Sequence, residues 1–250
     1  MPGTKLRCPQ CGGENDLPSG LRLFTCEFCG SSLVADRGET IHRYRVPALI
    51  GRDEASAALR RWMVGSDTVK DLDRKSELLM IEPVSFPMWL FRLDHQGDEI
   101  SRVTPAAALP IPQMMDLELP PGRLEPYEGG LEGVEEQEMT IPVDAARAWL
   151  DRDRVGTIRE ISLVQVPFWR CRYRYDGIEY MAVVDANSGQ VLASIYPEKA
   201  DSPYVVVLGL GFAVFLAEGL LIGNPLFKAV VFAITAVPMI GLAYWVARKV

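Results

Sequence analysis

The chain has 250 residues, a mass of 27.8 kDa, 48% hydrophobic and 24% charged residues, a balance that excludes wholesale disorder. Its net charge of −7 is uneven. Residues 1–37 are neutral, residues 38–202 carry −9 and residues 203–250 carry +2, which argues against a phosphate-backbone binder and against a domain held to anionic lipid by charge alone.

Two CxxCG knuckles open the chain: Cys8-Pro9-Gln10-Cys11-Gly12 and Cys26-Glu27-Phe28-Cys29-Gly30. Each puts two sulfurs on one tight turn, and four thiolates in a closed tetrahedron are what a structural Zn²⁺ prefers. Cys8, Cys11, Cys26 and Cys29 are therefore the expected ligands of one Zn²⁺ in a ribbon spanning residues 1–37. So short a segment buries little core, so the metal is expected to supply its folding energy. Strands are expected at residues 21–25 and 32–34. Four cysteines leave no open coordination position, which speaks against a metal hydrolase. The ribbon has no net positive charge and its only aromatics are Phe24 and Phe28, a poor platform for single-stranded nucleic acid.

An internal repeat follows, with an offset of 80 residues. Ile81, Val84, Pro87 and Trp89 recur as Ile161, Val164, Pro167 and Trp169; Arg92, Gly97, Glu99 and Val103 recur as Arg172, Gly177, Glu179 and Val183. Upstream of the first copy, Ala55, Ala58, Leu59 and Trp62 fall at helical spacing after Asp53, an expected N-cap. Upstream of the second, Ala145, Ala148 and Trp149 follow Asp144 in the same way. The expectation is two tandem helix-plus-antiparallel-sheet units, over residues 38–115 and 141–200. Between them residues 116–140, rich in Pro, Gly and Glu, read as an acidic linker.

The second hairpin is the more legible. Trp169, Cys171, Tyr173 and Tyr175 alternate with Arg170, Arg172 and Arg174, and Asp176-Gly177 is a type I′ turn pair. That turn pairs Tyr175 with Ile178 and Trp169 with Val184, placing one apolar face inward. The stripe of Arg170, Arg172 and Arg174 reads as a solvated face, with an anion site the minor alternative. Cys171 reads as a small buried residue. His42 and His95 lie in no catalytic motif, and no reaction is legible, so a non-enzymatic role is expected.

The last segment is apolar. Residues 204–222 are broken only by Glu218 and residues 226–247 only by Lys228, with Gly223-Asn224-Pro225 between them. As helices they measure about 28 and 33 Å, close to a hydrocarbon thickness of about 30 Å. A two-helix transmembrane hairpin over residues 204–247 is therefore expected. Lys199, Arg248 and Lys249 flank it while its turn has no Lys or Arg, which places both termini in the cytoplasm. Cysteines suited to a metal fit that reducing compartment. No apolar leader is visible at the N-terminus. Glu218 and Lys228 are symmetric about Gly223, and the expectation is that they pair within the membrane.

This layout resembles the prokaryotic membrane-anchored TFIIB-type zinc ribbon-containing proteins, some of them labelled primosomal-protein or helicase-like. The resemblance rests on both knuckles, on the hairpin unit of Pro167, Trp169 and Tyr173, on the Asn187-Ser188-Gly189 turn and on the paired apolar segments. The second unit, through residues 183–192, is also similar to PepSY units, whereas the first copy lacks the Asn-Ser-Gly turn. The resemblance implies an α+β protein without established activity. It also implies an adaptor at the inner membrane face, with SPFH- or PspA-like membrane-stress proteins as partners. The alternative it leaves is a membrane-tethered nucleic-acid-binding regulator.

Overall fold

The computed structural model describes residues 4–117, 119, 124–152, 156–199 and 202–249. In chain order the elements are β1 (Thr4–Arg7), β2 (Glu14–Leu17), β3 (Leu23–Thr25), β4 (Ser32–Asp36), β5 (Glu39–Arg45), α1 (Arg52–Met63), α2 (Leu72–Lys75), β6 (Glu77–His95) and β7 (Asp98–Pro105). After a 3₁₀ turn at Pro112–Asp116 come β8 (Glu125–Pro126), β9 (Glu135–Glu136), α3 (Val143–Arg152), β10 (Thr157–Tyr175), β11 (Ile178–Asp185), β12 (Val191–Leu192), α4 (Ser202–Leu221) and α5 (Pro225–Lys249). The fold is mixed α+β, and it divides into two units: Met1–Arg60 with Ser76–Ile195, and Arg61–Lys75 with Tyr196–Val250.

In the first unit β6 and β10 run antiparallel along nearly their whole length, from Glu77 opposite Arg174 to Asp94 opposite Thr157. Phe86 lies opposite Val166, its own counterpart at the 80-residue offset. Even-numbered side chains from Val84 to Leu90 and from Val164 to Phe168 enter one apolar cluster. Odd-numbered ones (Trp89, Phe91, Leu93 and Leu163) enter another, beneath α3. Both faces of the strand centre are covered, so residues 84–91 are continuously buried rather than alternating.

Each strand turns back into a hairpin. Gln96-Gly97 and Asp176-Gly177 have positive φ at both turn residues, as a type I′ turn requires. In the second hairpin Tyr175 pairs with Ile178, Tyr173 with Tyr180, Cys171 with Ala182 and Trp169 with Val184, the register expected from the turn.

Self-contained tandem units are not what forms. The Trp89 indole N–H donates to the Ile141 carbonyl just ahead of α3, and the Trp169 indole N–H donates to the Ile50 carbonyl just ahead of α1, both at 2.9 Å. The Ala106 carbonyl accepts the amides of Thr140 and Ile141, and the Ala186 carbonyl accepts those of Leu49 and Ile50. The chain leading into each helix is thus docked on the hairpin of the other copy. The cause is length: strands of 19 residues span about 60 Å, whereas helices of 10 and 12 residues reach only about 15–18 Å.

The helix faces also differ from expectation. In α3 the buried residues are Val143, Ala146 and Leu150, with Ala145 and Trp149 only half-buried and Ala148 exposed. Asp53 and Asp144 lie inside the first turns and are not N-caps. The Gly51 amide donates to Glu54 Oε2 at 2.9 Å, the reciprocal half of a capping box. The Val143 amide donates to Asp36 Oδ2 at 2.6 Å, a cap supplied from β4 across the fold. Asp36 also pairs with Arg22.

Residues 116–140 were expected as a solvated linker; those described are tied to the sheet. β8 pairs antiparallel with β5, and β9 pairs parallel with β6. Residues 118 and 120–123 lie outside the described set. The expected ribbon boundary at residue 37 falls in the β4–β5 turn, and β5 pairs parallel with β10. The Cys-rich segment therefore shares a sheet with the repeat.

In the second unit α4 and α5 form an antiparallel contact, with Phe215 and Phe232 edge to face at 5.5 Å. One helix, Pro225–Trp245, is long and apolar enough to cross a membrane; Val206–Leu221 is a shorter apolar helix. Leu226, Phe227, Ile234, Val237 and Ile240 are all exposed along α5. The expected pairing of Glu218 with Lys228 does not form. Lys228 Nζ donates to the Gly219 carbonyl at 2.6 Å, and Glu218 Oε2 accepts from the Thr235 hydroxyl at 3.1 Å. Side chains lean toward the N-terminus of their own helix. In an antiparallel hairpin Glu218 therefore leans away from the turn and Lys228 toward it, although their backbones sit at similar depth.

Candidate metal centre

The two knuckles are local twins. The Gly12 amide donates to the Cys8 carbonyl and the Gly30 amide to the Cys26 carbonyl, each at 2.9 Å; the Cys8 amide donates to Gly13 and the Cys26 amide to Ser31, again at 2.9 Å. Gly12 and Gly30 both hold φ of 75°, a conformation in which a side chain is strained. β1–β2 carries the first knuckle and β3–β4 the second, so folding these two hairpins together brings the cysteines to one point.

All four sulfurs lie within 4.8 Å of one another, with Cys8 to Cys29 and Cys11 to Cys26 both at 3.7 Å. The four cysteines could hold a metal ion, and they are the one such group among the described residues. Cys8 and Cys26 are buried against Leu33 and Phe24, while Cys11 and Cys29 are exposed.

Donors surround the sulfurs. The Gly13 amide points at Cys11 Sγ (3.4 Å), the Ser31 hydroxyl lies 3.2 Å from Cys29 Sγ, and Asn15 Nδ2 points at Cys26 Sγ (3.6 Å). Asn15 is buried; it also donates to the Gly13 carbonyl and accepts the Glu27 amide, so it ties the two knuckles together. No motif in the sequence marked it. Burial opposes the Cys26 thiolate, but the amides of Phe28 and Cys29 and the Asn15 carboxamide outweigh it and pull the thiol to about 6. The Gly13 amide favours the Cys11 thiolate, yet burial and the neighbouring thiols push it up to about 12. The Ser31 hydroxyl and amide lower Cys29. Thiols so divided are like charges sharing one site, which a cation would relieve.

The arginine stripe is engaged internally. Arg170 pairs with Glu135 at 2.6 Å and with Glu82 at 3.3 Å; Arg174 pairs with Glu179 and Glu77; Arg172 reaches Met80 Sδ. Arg170 holds the Glu135 carboxyl below its ordinary range. Three glutamates of the segment expected to be a solvated linker are thus paired: Glu135 with Arg170 of the stripe, and Glu125 and Glu136 with Arg45 and Arg43 on β5. Cys171 is fully buried, its thiol pushed up to about 12 by burial. His42 sits half-buried on β5 and His95 is exposed at the end of β6.

Compared with known proteins, the chain matches no family model, no curated protein and no solved structure. Fold and site together define a mixed α+β protein with a four-cysteine cluster and a membrane-length apolar helix.

Proposed function

We propose that the protein is a non-enzymatic, membrane-anchored zinc-ribbon adaptor. In this reading one Zn²⁺ is held by Cys8, Cys11, Cys26 and Cys29. Both α4 and α5 cross the cell membrane, with both termini in the cytoplasm. The repeat presents surfaces to cytoplasmic or membrane proteins, with SPFH- or PspA-like assemblies the partner class implied by the resemblance.

The observation that carries the metal reading is the sulfur spacing. A tetrahedral ion about 2.3 Å from each sulfur sets the sulfurs about 3.8 Å apart. The Cys8–Cys29 and Cys11–Cys26 separations of 3.7 Å match it. The membrane reading rests on the exposed apolar surface of α5 and on the contact between α4 and α5. The side chains of Arg248 and Lys249, on which the orientation rests, lie outside the described residues.

The test uses the full chain purified in detergent. One equivalent of zinc per chain is expected, and single cysteines placed near either end are expected to resist a membrane-impermeant thiol reagent in intact cells. Co-purification of an SPFH- or PspA-like protein supports the adaptor role. A nucleic-acid complex that weakens steeply with salt would instead favour the tethered regulator.

A further inference from the structure

We propose that the second unit carries a site for the glycerophosphate head of an anionic phospholipid, in the cleft between the α1–α2 connection and the segment leading into α4. The proposal rests on the membrane anchoring proposed above.

The cleft is built by backbone. The Val69 amide donates to the Pro197 carbonyl at 2.8 Å, the Lys199 amide donates to the Asp67 carbonyl at 3.1 Å, and Thr68 bridges Glu198 antiparallel. Trp62 and Tyr196 close one end, edge to face at 5.2 Å. Thr68 is buried, its hydroxyl donating to the Met63 carbonyl at 2.8 Å. The connection is thereby fastened to the residues just ahead of Ser202, where α4 begins. A cleft held there stands at the headgroup level of a bilayer that α4 enters.

The cavity measures about 410 Å³, and its lining includes Lys70, Arg74, Lys199, Asp71 and Asp73. The three cations are exposed and the two aspartates half-buried. Arg74 and Lys199 have no carboxylate within ion-pair distance among the described residues. Cations left unpaired at a membrane surface attract anionic lipid. The lining also suits the head in detail: cations take the phosphate, and the carboxylates accept hydrogen bonds from glycerol hydroxyls. Val64, also in the lining, is 67% exposed and offers an apolar step toward the acyl chains.

The experiment reconstitutes the full chain in phosphatidylcholine vesicles and measures the association of spin-labelled phosphatidylglycerol, phosphatidylethanolamine and phosphatidylcholine by electron spin resonance. Preference for phosphatidylglycerol is expected. It should fall roughly fivefold in Arg74→Gln and again in Lys199→Gln, and remain in Arg61→Gln, outside the cleft. Soluble glycerol phosphate, which carries the same head without acyl chains, should compete weakly. Equal lipid selectivity in all variants, an equal loss in Arg61→Gln, or a preference for phosphatidylethanolamine would each overturn the site. Flotation of the vesicles after alkaline washing separates the two readings. A chain that does not float ends the anchoring reading and this one with it; a chain that floats without lipid preference ends only this one.

Discussion

Asn15 is a neutral side chain that ties the four-cysteine cluster together. It donates to a cysteine sulfur and to the Gly13 carbonyl while accepting the Glu27 amide. Groups behind metal ligands orient them, and their loss typically costs roughly 10–100-fold in metal affinity. Asn15→Ala should show that loss in competition with a chromophoric chelator, while the four cysteines remain. Cys171 offers a pH test. Burial pushes its thiol from the ordinary 9.0 up to about 12, so the unfolded chain ionises first. Its contribution to stability is complete below about pH 9 and is lost as pH rises toward about 12. Denaturant midpoints should therefore fall over that window, and Cys171→Ala should flatten the fall.

At the scale of elements the helices and hairpins are exchanged between copies. α3 shares its cluster with Trp89, Phe91, Leu93 and Ala106, residues of the first copy. A charge at Ala146, which is fully buried, should cost roughly 3 kcal/mol or more. In Ala146→Asp, hydrogen exchange should accelerate in the β6–β7 hairpin. The β10–β11 hairpin, although it belongs to the copy that α3 precedes, should be much less affected. Equal acceleration in both would refute the exchange. In the apolar helices, Glu218 and Lys228 have separate partners. Their replacements by leucine should therefore add within about 0.5 kcal/mol in a double-mutant cycle. Thr235→Val should couple to Glu218, with roughly 1 kcal/mol expected for such a bond between helices.

For the whole molecule the four-cysteine segment and the sheet are joined through β3, β4 and β5. β4 pairs with β5, and β5 with β10, through backbone hydrogen bonds in which no sulfur takes part. Chelation should accordingly unfold the knuckles of residues 4–31 and leave the β6–β10 sheet intact. Near-ultraviolet dichroism should then retain the signal of the buried Trp89. A cooperative loss of both would show that the metal stabilises the full unit.

Local chemistry was readable from the amino acids alone. The cysteine knuckles, the Asp176-Gly177 turn with its register, the burial of Cys171 and the apolar C-terminal segments each depend on residues close together in the chain. Such features are set by spacing, turn geometry and alternation. What only the tertiary structure decided are pairings across long separations: Trp89 with Ile141, Trp169 with Ile50, Asp36 with the first amide of α3, and Glu135 with Arg170. In each, a side chain finds a donor, acceptor or charge that spacing along the chain does not reveal. The partners of Glu218 and Lys228 belong to the same group, because opposite helix directions turn two side chains of matched depth away from each other.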